Sequence, residues 1–209
     1  MNKILGTLIL VTLLTLPALA QKDKRAQTIL DGMSKKYQTM KSYQASFTYS
    51  GAGGGAKGDL TVKNDKFRLL LGGQEVFTDG KTMSTYIKES NELNVQDYEV
   101  GSGSELNPTQ IYTIYKRGFD YRYLKQIKQG GRTLEVIELT PNRDKSNIKT
   151  VQISVDKVDK SVRNWEIVNK DGKRTSYTIT KFTPNVNAPD SYFVFDKSRY
   201  PGVEVVDLR

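Results

Sequence analysis

Histidine and cysteine are both absent from the 209 residues. The chain therefore has no Ser-His-Asp or Cys-His nucleophile, no imidazole or thiolate ligand for a metal, and no disulfide. Covalent chemistry would have to rest on carboxylates, lysine, tyrosine or a bound cofactor. Hydrophobic residues make up 37% and charged residues 26%, an ordinary globular usage that excludes wholesale disorder. Past residue 20 no run is long and apolar enough to cross a bilayer, which takes ~20 residues.

The N-terminus reads as an address. Lys3 precedes an apolar stretch over 4–16, and Pro17-Ala18-Leu19-Ala20 places small residues ahead of a cut before Gln21. This is the layout of a cleavable secretory signal over residues 1–20. Pro17 and the shortness of the run argue against an uncleaved anchor. Removing the signal, and Lys3 with it, leaves 189 residues at +8. No cysteine follows the cut, so no lipid is attached there. The expected location is the periplasm, with which a lack of cysteine is compatible.

Residues 21–209 read as one α+β domain dominated by strands. The spacing of Ile29, Leu30, Met33, Tyr37 and Met40 predicts an amphipathic helix over 26–41, either packed on the core or acting as a lid. From Ser42 the period becomes two: Tyr43, Ala45, Phe47 and Tyr49 alternate, then Leu60 and Val62, then Phe67, Leu69 and Leu71. Further strands are expected at 74–78, 83–88, 92–98, 121–128, 132–139, 148–155, 162–169, 174–182 and 192–195. Asp79-Gly80, Gly130-Gly131 and Asp171-Gly172 supply turns, so about eleven strands pair mostly antiparallel in a strongly curved sheet or barrel. Asn107-Pro108 opens a second short helix carrying Ile111, Ile114 and Tyr115.

Candidate chemistry is sparse. The run from Gly51 to Gly58 lacks the Lys-Ser/Thr pair and the following helix of a phosphate loop, and reads as a hairpin loop. The acidic residues from Asp59 to Glu99 are scattered and read as solvated faces rather than a catalytic carboxylate pair. Lysine and arginine are dispersed; even in Tyr121-Arg122-Tyr123-Leu124-Lys125 a strand would put Arg122 on the face opposite Tyr121 and Tyr123, and this dispersal disfavours nucleic acid as a partner. An antiparallel sheet this large exposes one face, and the other is either filled as an ordinary core or encloses something. Composition alone favours the filled core.

Two stretches resemble the LolA family of periplasmic outer-membrane lipoprotein carriers. The first is Gly58-Asp59-Leu60-Thr61-Val62-Lys63 running into Lys66-Phe67-Arg68, followed by Thr78-Asp79-Gly80-Lys81-Thr82. The second is Tyr192-Phe193-Val194-Phe195 with Pro201-Gly202-Val203-Glu204-Val205, and the run from Ser42 to Thr48 is similar as well. The resemblance implies an unclosed antiparallel β-barrel of about eleven strands under a lid of two or three helices. It further implies a monomeric carrier without cofactor or enzymatic activity, which takes acylated lipoproteins from an inner-membrane ABC transporter to the outer membrane. Phe47, Leu60, Val62, Phe67, Leu69, Met83 and Tyr86 would line its lipid-binding cavity, and Ile29, Met33, Ile111 and Ile114 would lie under the lid. The family's lid-latching arginine is replaced by Asn64, a weaker donor, and an aromatic is replaced by Thr61. A carrier of another lipid or glycolipid, an envelope-stress regulatory module and an exported carboxylate hydrolase are the rival readings.

Overall fold

The computed structural model describes residues 23–98, 109, 112–142 and 146–209. The signal over 1–20, the Asn107-Pro108 helix start and Ile111 lie outside the described residues.

Helix α1 (Lys24–Gln38) begins where the Asp23 carboxylate accepts the Arg25 and Ala26 amides at 2.9 and 3.1 Å. The other oxygen of Asp23 accepts the Tyr123 amide at 2.7 Å, so one side chain caps the helix and ties it to a strand 100 residues away. The Tyr123 amide, and the helix amides after it, hold the Asp23 carboxyl below the ordinary carboxylate range. Ile29, Leu30, Met33 and Tyr37 form the buried stripe that the helical spacing predicts.

The strands are β1 (Tyr43–Gly51), β2 (Gly54–Lys63), β3 (Lys66–Leu71), β4 (Gln74–Thr78), β5 (Thr82–Ile87), β6 (Glu92–Asp97), β7 (Phe119–Gln129), β8 (Arg132–Pro141), β9 (Ile148–Asp156), β10 (Val162–Asn169), β11 (Arg174–Pro184) and β12 (Glu204–Asp207). They form one twelve-stranded sheet in the order β12-β6-β5-β4-β3-β2-β1-β11-β10-β9-β8-β7. Every pairing is antiparallel except β12 with β6. The sheet does not close, with β7 and β12 as its two edges. This is the unclosed barrel of the sequence reading, with twelve strands rather than about eleven.

Two sequence expectations are corrected. Residues 192–195 are not a strand: Asp190–Phe193 is a 3-10 turn in which the Tyr192 amide bonds the Pro189 carbonyl at 3.0 Å. The Pro189-Asp190-Ser191 start favours a turn over extension. The final strand is instead Glu204–Asp207, too short and too exposed to show an alternating pattern. Of the second helix, the described part is the 3-10 turn Ile114–Lys116, with Ile114 and Tyr115 buried.

The two faces bury different things. The inner face carries the main core, where α1 and the Ile114 turn pack on Ile137, Leu139, Val151, Ile153 and Trp165. On the outer face the C-terminal segment lies across β4–β6, where Tyr86, Leu93 and Val203 form a second core with Phe195 and Tyr200. Asp190 ties that segment to the β2–β3 hairpin through Lys63 at 2.9 Å and Lys66 at 2.7 Å.

Candidate functional site

Strand register lays out the inner face in rows. Ala45, Leu60, Leu69 and Val76 stand opposite one another across β1 to β4, and Tyr43, Val62, Phe67, Thr78 and Met83 form the next row. Beyond them Phe47 faces Gly58, which faces Leu71. A Cβ at residue 58 would run into the Phe47 ring and come within 2.9 Å of the Leu70 carbonyl. Glycine at this position thus lets Phe47 lie against the backbone of β2. Across β1, a bulge between Ser46 and Phe47 brings Ile179 opposite Phe47, while Trp165 pairs with Tyr177 farther along.

These rows enclose a cavity of about 210 Å³. Its lining runs along the curved sheet from Ala45, Phe47, Leu60, Leu69 and Leu71 on β1–β3 to Val162, Trp165, Tyr177, Ile179 and Phe182 on the adjoining β10–β11. Tyr37 of α1 and Tyr43 close one end. Helix α1 packs on β7 and on the core of β8 and β9, and the cavity lies beside it, along β1–β3 and β10–β11. Two outer-face grooves of about 490 Å³ each are larger. They are open and mixed in polarity, bordered by Arg68, Asp196 and Arg199 in one and by Asp79 and Lys197 in the other. The inner cavity, apolar almost throughout, is the candidate site.

The cover is pinned at its C-terminal end. The Val162 amide donates to the Tyr37 hydroxyl at 3.2 Å, and Lys36 Nζ donates to the Asp159 carbonyl at 2.6 Å. Tyr37 also stacks on Tyr112, with ring centroids 5.2 Å apart, and meets Tyr43 and Phe182 edge-on. Burial pushes the Tyr37 phenol up to about 12, the Val162 amide opposing the rise. Burial likewise holds Tyr43 well above the usual phenol range. At the β9–β10 turn burial disfavours the Asp159 charge, yet the Ser161 hydroxyl and amide, Lys36 and Arg163 outweigh it and hold the carboxyl at about 2. Among the described residues no cluster of acidic side chains could hold a metal ion, and no helix is long and apolar enough to cross a membrane.

The family model for the outer membrane lipoprotein carrier protein LolA matches residues 38–196. The chain belongs to the LolA family. It is 40% identical over 83 residues to an outer-membrane lipoprotein carrier protein of Serratia proteamaculans (strain 568), a match that covers 40% of this chain and only 37% of that protein. Its fold is shared with an uncharacterized conserved protein from Thermus thermophilus, at a TM-score of 0.62 and 14% identity over 88% of this chain and 99% of that one. It is shared also with a structure of the Pseudomonas aeruginosa MucA/MucB complex, at a TM-score of 0.51 and 17% identity over 83% of this chain and 62% of that one.

Within this LolA-family half-barrel the residues picked from the sequence separate into groups. Phe47, Leu60 and Leu69 line the cavity. Val62 and Phe67 share its face but are buried in the adjoining core, and Met83 stands half-buried in their row. Tyr86 is a correction: it lies on the outer face, its ring against Tyr200 and Phe195 and its hydroxyl donating to Asn91 at 3.0 Å. Met83 and Tyr86 are three apart on one strand, and side chains an odd number of residues apart point to opposite faces. Ile29 and Met33 are on the buried face of α1 itself, in one core cluster with the buried Ile114. Asn64 sits exposed at the β2–β3 turn with φ 54°, a left-handed conformation that asparagine tolerates. It borders a second depression of about 220 Å³ beside Tyr112 and Met40. Among the described residues its side chain makes no hydrogen bond, and the bonds that hold the cover come from α1. The β10–β11 wall is not legible in the sequence: its alternation is visible, but nothing local brings β11 beside β1.

Proposed function

We propose that the protein is a periplasmic carrier that shelters acyl chains of lipoproteins in the inner cavity and conveys them from the inner to the outer membrane. Membership in the LolA family supports this reading, and the apolar cavity between β1–β3 and β10–β11 is the observation that carries it. The first twenty residues would direct export and be cleaved from the mature chain. An ABC transporter of the inner membrane would load the cargo, and no covalent step is needed.

The energetics suit a carrier. Burying a CH₂ is worth ~0.8 kcal/mol, so a sixteen-carbon chain withdrawn from water gains on the order of 12 kcal/mol. A bilayer offers the same chain a comparable environment, so carrier and membrane are nearly balanced and a modest cost of opening the cover can set direction. The cavity, at about 210 Å³, is smaller than the ~300–1,000 Å³ of most ligand pockets. Sheltering is then partial, or the cover moves as cargo enters. Protein recovered from its own envelope under native mass spectrometry should carry lipoprotein. Bound glycolipid or free lipid would favour the second carrier reading. An empty protein that captures a partner domain would favour the regulatory one.

A further inference from the structure

The Trp165 indole is a buried polar group in the cavity wall that the fold leaves without a partner. The residue is 3% exposed, and among the described residues its Nε1 has no hydrogen-bond partner. Arg68 Nε and Arg163 Nε are also unpartnered, but each guanidinium bonds through another nitrogen, to Glu75 at 2.7 Å and to Asp159 at 2.9 Å. An indole has a single polar atom, so nothing compensates its loss. Buried donors are nearly always paired, because an unpaired one forfeits its water. The Tyr37 hydroxyl, in the same cavity, is engaged by the Val162 amide. Trp165 stands in register between Ile153 on β9 and Tyr177 on β11, facing the same cavity as Phe47, Leu60 and Leu69.

We infer that Trp165 is a specificity residue, whose indole N–H donates to a carbonyl oxygen at the linked end of an acyl chain. The inference rests on the carrier reading and refines it: the cavity selects the ester- or amide-bearing section of the cargo over bare hydrocarbon. An indole N–H can only donate, so hydrocarbon leaves it unsatisfied and a carbonyl pairs it. The apolar surroundings strengthen that bond. Because Nε1 is shielded from solvent, the ring turns or the walls part as cargo enters. Trp165 is the sole tryptophan in the chain, so that movement can be followed without labelling.

The test uses the mature protein and three probes of similar length: methyl decanoate, N-methyldecanamide and undecane. Trp165→Phe should weaken binding of at least one carbonyl probe about five- to tenfold, the worth of one hydrogen bond, and leave undecane within about twofold. The probe that loses more tells ester from amide. Equal losses for all three probes, or no loss for any, would overturn the assignment while leaving the carrier reading in place. Wild-type protein that binds none of the three would overturn both. Should Trp165→Phe fail to fold, the single indole N–H resonance of the wild type decides: it should move farther downfield with a carbonyl probe than with undecane. An equal response to all three probes rejects the assignment.

Discussion

The Val162 amide donates to the Tyr37 hydroxyl across 3.2 Å, joining the last turn of α1 to the first residue of β10. Both residues border the cavity, so this bond is a clasp between cover and wall. Tyr37→Phe keeps the ring packing on Tyr43, Tyr112 and Phe182 but removes the acceptor. It should lower stability by about 1–3 kcal/mol, the cost of a partly buried donor left unpaired. It should also speed release of a bound acyl probe. Urea unfolding and stopped-flow exchange measure the two effects, and unchanged release would mean that the clasp does not gate the cavity.

The same phenol sets an alkaline limit. Unfolded tyrosines ionise near pH 10, whereas folded Tyr37 keeps its proton to about 12. Between those values the unfolded chain binds fewer protons than the folded one, so stability falls as pH rises. Below pH 10 the contribution is fully present. Tyr43, raised by burial as well, adds to the slope. Thermal melts from pH 8 to 12 should show a declining Tm, with a shallower decline in Tyr37→Phe; parallel declines would contradict the assignment to this residue.

Asp159 gives the opposite slope at acid pH. Its carboxyl is held at about 2, below the ordinary carboxylate value of 3.8. Its stabilising contribution is therefore present above about pH 4 and lost as pH falls toward 2. Asp159→Asn should flatten the acid limb of the stability curve. Because Lys36 reaches this turn from α1, the substitution should also loosen the cover at neutral pH, visible as faster amide exchange in the last turn of the helix.

Gly58 and Phe47 are matched in shape. Gly58→Ala places a methyl where the Phe47 ring lies, 2.9 Å from the Leu70 carbonyl. Overpacking of this kind costs about 1–3 kcal/mol. Adding Phe47→Leu should recover part of the loss, since the two substitutions share one contact. Strict additivity in urea melts would show that the ring is not what the methyl meets.

The helix and the strand rhythm were legible because both follow from side-chain periodicity. The stripe Ile29, Leu30, Met33 and Tyr37 needs a helix, and Phe67, Leu69 and Leu71 need a strand. What the sequence left hidden depends on distant partners. Trp165 and Ile179 become part of the cavity only because β11 pairs with β1, more than 130 residues apart for Ala45 and Phe182. Tyr86 faces outward against expectation because an aromatic on a strand suits either face, and Phe195 and Tyr200 of the C-terminal segment determine which. The glycine-rich run after Gly51 reads as a loop by composition, yet Gly54–Gly58 opens β2, its scarcity of side chains offset by ladder bonds to β1.

Leu69 and Leu70 are adjacent on β3 and face opposite sides of the sheet; Leu69 lines the cavity and Leu70 stands opposite Glu75 in an outer-face row. Retention of lipoprotein by Leu69→Glu and Leu70→Glu, each purified from its native envelope and weighed under native mass spectrometry, is therefore the most direct measurement. Loss of cargo from the Leu69 variant alone, with both proteins folded, is the expected result. Equal cargo on both, or on neither the variants nor the wild type, would contradict a carrier that works through its inner face.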